Sequence, residues 1–188
     1  MFACDAATLN KSYTGQSVGS VRCVEGTGHQ PDWDPASPNR QHVSFVDATR
    51  AYFNAKLDPF SKLVFVDLPP EGPDSENMCG QILRHMYGTR GAADGWQEEY
   101  ITMLLSQGFQ QGLSCPNVFQ HKERKIHTSV HGDDFTSEGG KIALDRFETE
   151  VAERYEITVS PRLGPGPEDA TEESCLNRII RCREGRIE

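Results

Sequence analysis

The sequence predicts an α+β fold, a mainly antiparallel sheet with helices packed on one face. Three observations carry that expectation. Two stretches, near residues 92–109 and 140–155, place apolar residues at helical spacing. The segment "NVFQHKERKIHTSVHGDD" reads as two extended arms around a charged turn at His121–Lys125. Strand-like and helix-like runs follow one another in the order β-β-α-β-β-α-β, for which helices on one face of the sheet are the simplest packing.

Residues 1–41 are rich in Gly, Ser, Thr and Pro, as in "TGQSVGS" and "QPDWDPASPNR", and sustain no hydrophobic period. They are expected to be a poorly ordered N-terminal segment. "HVSFVDATRAYF" opens with Val43 and Phe45 alternating against His42 and Ser44, which predicts a strand ending near Asp47. "KLVFVDLPP" predicts the next strand, closed by Pro69, Pro70 and Gly72. In the first helical stretch the expected face is Ala93, Trp96, Tyr100 and Leu104, with Ile101 and Leu105 beside it and a stop at Gly108.

The hairpin follows, its second arm alternating Ile126, Thr128 and Val130 and ending at Asp133 and Asp134. Leu144, Phe147, Val151 and Tyr155 mark the buried side of the second helix. "YEITVS" is then a short strand, "RLGPGPEDATEE" a loop, and "CLNRIIRCREGRIE" a last hairpin arm. No internal repeat is present.

A net charge of -9 excludes a free-standing, non-specific nucleic-acid binder, because neutralising phosphates takes surplus Lys and Arg. Any nucleic-acid role must therefore come from a local site. The six cysteines form no C-x-x-C pair, so the spacing points to neither a zinc site nor a disulfide framework. No apolar run approaches the roughly 18 residues that span a bilayer, and Asp5 interrupts the position of a signal-peptide core. The expected location is intracellular, cytoplasmic or nuclear, without a membrane partner.

Asp133 and Asp134 are adjacent like charges at a hairpin end, a costly arrangement unless something neutralises them. A hard divalent cation is the natural answer, since magnesium takes oxygen ligands and combines one or two protein carboxylates with substrate phosphates. Asp47, at the end of the first strand, supplies a third carboxylate for a two-metal clamp at phosphorus.

Five segments then occur in a telling order. "VDATRAYFNA" (Val46–Ala55), "LPPEG" (Leu68–Gly72), "ILRHMYGTRGAADGWQEEY" (Ile82–Tyr100), "GFQQGLSCPNVFQHKE" (Gly108–Glu123) and "VHGDDF" (Val130–Phe135) resemble the palm region of copia-type retrotransposon reverse transcriptases, part of a Pol polyprotein. The resemblance covers residues 42–160, and "RLGPGP" and "LNRII" resemble the segment that follows the palm in some of these elements, here residues 161–188. It implies a polymerase palm and RNA-directed DNA polymerase activity, a nucleotidyl transfer using two Mg2+ ions, with Mn2+ as a substitute. Deoxynucleoside triphosphates and an RNA or DNA template-primer would be the substrates.

Residue by residue, the resemblance implies that Asp47, Asp133 and Asp134 are catalytic and metal-binding. Asp133 is expected to coordinate more directly, because successive strand-end residues point in different directions. Tyr52 stands where the family has the aromatic that excludes a 2′-hydroxyl, and Arg90 and Gly91 stand at two substrate-contacting positions that are usually Lys and Gln. His131 and Gly132 depart from the usual Tyr and small apolar residue of the box. Residues 1–41 do not resemble fingers and no RNase H segment is seen, so a truncated copy is expected, with an unidentified partner supplying those parts. The alternative reading is a non-catalytic remnant that acts only as a binding or scaffold domain.

Other features have plainer readings. Trp96 and Tyr100 are expected to be core anchors, Phe53 ordinary core, and Lys122–Lys125 a solvated turn. His127 and His131 share a strand face and form a partly exposed surface rather than a transition-metal site. "GPGP" (Gly164–Pro167) is a rigid connector, since no Lys-Ser/Thr follows as in a phosphate loop.

Overall fold

Strand β1, Gln41–Ala48, is the centre from which the rest is built. The structure is a computed structural model and describes residues 40–57, 63–71, 78–183 and 186–187. Expectations for residues 1–39 and for Gly72 lie outside the described residues. Every residue of β1 except Asp47 is buried, so both faces of this strand are covered, not one. That is why Val43, Phe45 and Val46 read as a nearly continuous apolar run.

Two units are distinguished. The first takes the chain up to Thr49 together with Leu104–Glu188, and the second is Arg50–Met103. In the first unit, β4 (Gln110–Gln111), β5 (Val118–His121), β6 (Ile126–His131), β7 (Asp134–Gly140) and β8 (Ile157–Val159) join β1 in one sheet. Its order is β4-β5-β6-β7-β1-β8 and every pairing is antiparallel. The chain is thus α+β, as the sequence predicts.

Helix α3, Lys141–Ala152, buries Leu144, Phe147 and Val151 and packs on β7 and β1. Phe147 meets Phe135 of β7 at a ring separation of 6.4 Å and Phe109 at 5.6 Å, adding aromatic contact to the apolar area removed from water. Polar ties fix its register. Ser44 Oγ donates to Glu148 at 2.6 Å, and Arg162 bridges Glu148 at 2.8 Å and Asp145 at 2.7 Å.

The opposite face carries a second core of Val43, Phe45, Leu163 and Ile180, with Cys175 and Cys182 packed against it. The C-terminal segment supplies that cover through a small antiparallel sheet of β9 (Glu172–Cys175), β10 (Arg178–Arg183) and β11 (Arg186–Ile187). The expected single arm is therefore a hairpin with a third strand. Leu176 and Asn177 turn it with φ of 50° and 60°, the two positive values a tight two-residue hairpin loop requires.

The second unit contains α1 (Ala51–Asn54), the paired strands β2 (Phe65–Asp67) and β3 (Cys79–Gln81), and most of α2 (Ala92–Ser106). Strand β2 is shorter than "KLVFVDLPP" predicts. On α2 the buried stripe is Ala92, Trp96, Tyr100, Met103 and Leu104, whereas Ala93 and Leu105 are exposed; Trp96, Tyr100 and Leu104 lie on the expected face, and Ala92 and Met103 flank it in place of Ala93 and Leu105. Trp96 and Tyr100 are core anchors in edge contact at 5.8 Å.

The helix ends as the sequence predicts. Gly108 has φ +91°, and the N–H groups of Gly108 and Phe109 bond back to the carbonyls of Leu105 and Leu104. This glycine-dependent cap satisfies two terminal carbonyls.

Four expectations need correction. Strand β7 was not expected at all, because "DFTSEGG" lacks an apolar alternation. Phe53 is 42% exposed rather than core. The turn after β5 is not wholly solvated, since Arg124 pairs with Glu150 at 2.6 Å in a mostly buried setting. Cys79, Cys175 and Cys182 are free thiols, but Cys115 is disulfide-bonded. Among the described residues no helix is long and apolar enough to cross a membrane.

Candidate metal centre

Asp47 is the one exposed residue of β1, beside the buried Ala48 that ends the strand, and Asp133 and Asp134 form the end of the β6–β7 turn. Antiparallel pairing of β1 with β7 puts Asp47 directly opposite Asp134. Gly132 makes the turn with φ +63°, a conformation costly for a side chain with a Cβ. The Asp133 carbonyl accepts the Ala48 N–H at 2.9 Å, which ties the turn to the end of β1. Asp47, Asp133 and Asp134 each offer an oxygen, and these oxygens lie within 4.8 Å of one another.

Like charges facing each other across a ladder destabilise it, and the electrostatics here are adverse. The Asp134 carboxyl is held above the usual carboxylate range, first by burial and then by the charges of Asp133 and Asp47, with His131 acting in the other direction. Asp47 is likewise raised by burial and by Asp133. Three converging hard oxygen donors, with the proton affinity of Asp47 and Asp134 raised, suit a divalent cation such as Mg2+ or Mn2+, which would replace those protons and cancel the repulsion. The geometry does not single out Asp133 over Asp134.

No protein-family model matches the chain, and no curated protein matches it. The site is therefore read from its own residues.

The remaining residues with an expected role lie in the second unit. Tyr52 is half-buried on α1, its ring 4.4 Å from that of Tyr87, and Phe53 meets the same tyrosine at 5.9 Å. Arg84 donates to the carbonyls of Phe53 and Asn54, so the end of α1 is capped by a guanidinium. Arg90 is exposed in the turn before α2. Gly91, with φ +85°, offers only backbone atoms to a substrate.

Two groups escaped the sequence reading. Glu138 of β7 is a buried carboxylate, and the alternation Asp134, Thr136, Glu138 would have placed it on the same face as the triad had β7 been recognised. His42 is buried, with Nε2 at 3.3 Å from Asp169. Asp169 also accepts the Gly166 N–H at 2.7 Å, so "GPGP" is held as a structural connector.

Proposed function

We propose that this chain is the palm domain of a copia-type reverse transcriptase, which joins deoxynucleotides to a primer end on an RNA or DNA template. The observation that supports the reading best is the convergence of Asp47, Asp133 and Asp134 at one sheet end. These are the carboxylates at which the resemblance places the chemistry.

In this reading the three aspartates hold the cations, and the β1–β7 ladder fixes their spacing before substrate arrives. Pre-set carboxylates avoid reorganisation during the reaction. Bound magnesium would supply Lewis-acid activation of the primer 3′-hydroxyl and charge neutralisation on the leaving pyrophosphate. Tyr52 would exclude a 2′-hydroxyl by bulk, giving preference for deoxynucleotides. Arg90 would contribute charge to substrate phosphates and Gly91 its backbone.

Purified protein given primed RNA template, deoxynucleoside triphosphates and magnesium tests the proposal. Extension that needs the template and disappears in Asp133→Asn supports it. Folded protein that binds neither Mg2+ nor Mn2+ and extends nothing would instead support the non-catalytic scaffold.

A further inference from the structure

A cavity of about 330 Å³ opens among β4–β7 and the loop that follows β4. Val43, Leu113 and Val118 contribute apolar wall, and Glu138 lines it as well. Glu138 is 5% exposed, and both of its carboxyl oxygens are buried without a hydrogen-bond partner. A buried acceptor left without a donor is costly, more so when charged. Most buried polar groups are satisfied by protein or water, so one that is not calls for a physical reason.

The surroundings narrow what could satisfy it. His127 stands directly opposite Glu138 across β6 and β7, and Lys122 is the other titratable group in the wall. Neither forms a salt bridge with the carboxyl. The carboxyl oxygens are themselves buried, so a ligand in the cavity reaches them by a turn of the Glu138 side chain about its own bonds, which no hydrogen bond opposes. The volume is at the lower end of the range for small-molecule sites, roughly 300–1,000 Å³, and accommodates a one-ring ligand.

We propose that this cavity binds a small organic cation carrying paired N–H donors on an apolar body, anchored by the Glu138 carboxylate and seated on Val43 and Val118. A planar amidinium or guanidinium meets a carboxylate through two parallel hydrogen bonds, and the apolar walls take the remainder. Burial pushes the Glu138 carboxyl up to about 7, so at pH 8 an entering cation meets a negative charge.

Titration calorimetry of the full chain with benzamidine at pH 8, without divalent metal, tests this. Saturable binding is expected, at least tenfold weaker in Glu138→Gln, with benzyl alcohol and benzoate binding at least tenfold more weakly than benzamidine. Ser129→Trp fills the cavity from β6 and should abolish binding while leaving Glu138 in place, so it decides the matter if Glu138→Gln does not fold. Asp47→Asn should bind benzamidine as wild type does, separating this site from the carboxylate triad. No binding, equal binding by Glu138→Gln, binding that survives Ser129→Trp, or binding lost in Asp47→Asn would each overturn the proposal.

Discussion

Asp47 and Asp134 face each other across β1 and β7, two acidic side chains placed by the ladder register where repulsion is hard to avoid. Ordinary sheet design would put opposite charges or apolar residues at such a pair. The arrangement stores unfavourable electrostatic energy that a cation releases.

Divalent metal should therefore stabilise the fold through this pair and Asp133. Mn2+ is expected to raise the thermal midpoint of the wild type and to leave Asp133→Asn nearly unmoved. Without metal, Asp133→Asn should be as stable as the wild type or gain on the order of 1 kcal/mol or less, the size of one like-charge contact in water. Calorimetric melting with and without Mn2+ reads both effects. Because Asp47 and Asp134 hold their protons above the usual range, metal affinity should fall as pH drops through the carboxylate region.

Glu138 gives a pH dependence of a different kind. Its folded pKa, about 7, lies above the ordinary carboxylate value of 4.5, so between those values the unfolded chain loses a proton that the folded chain keeps. Stability contributed by this group is full below about 4.5 and falls as pH rises to about 7, by roughly 3 kcal/mol. His42, lowered mainly by burial, acts in the opposite direction below its ordinary value. Comparing Glu138→Gln with wild type in urea melts from pH 4 to 8 isolates the Glu138 part. The difference between the two should narrow toward low pH.

Phe147 touches both Phe135 and Phe109 and is fully buried. Truncation to alanine removes apolar contact and leaves a cavity, for which roughly 3–5 kcal/mol is the usual cost. Urea denaturation of Phe147→Ala should show that loss in midpoint with little change in slope, and a cost under about 1 kcal/mol would contradict the packing described.

Tyr52→Ala tests the substrate reading independently of the metal. The variant should incorporate ribonucleotides at least tenfold better relative to deoxynucleotides, measured by competing the two in one extension reaction. Unchanged selectivity would remove Tyr52 from the substrate site.

Much of the fold was legible because the pattern and the packing agree. The Ile126–His131 arm alternates Ile126, Thr128 and Val130 toward the core, and Gly108 stops α2 because its backbone is left-handed there. Strand β7 was not legible: Ser137, Gly139 and Glu138 are buried by neighbouring strands rather than by their own hydrophobicity. The changed flanks of the α2 stripe have a related cause, since Ala93 and Leu105 fit the helical period as well as Ala92 and Met103 do and only tertiary packing chooses between them. Asp47, Asp133 and Asp134 were found as a group because strand-end carboxylates are legible singly. Their convergence needed the Asp47–Asp134 register, which no spacing specifies, and Glu138 stayed hidden with its strand.

The most direct test of the central claim is magnesium-dependent incorporation of a single deoxynucleotide on a primed template, measured for wild type, Asp47→Asn, Asp133→Asn and Asp134→Asn confirmed as folded. Template-directed incorporation by the wild type, with losses on the order of a thousandfold or more in each variant, is the predicted result. Incorporation that ignores the template, or that persists in any of the three variants, would contradict it.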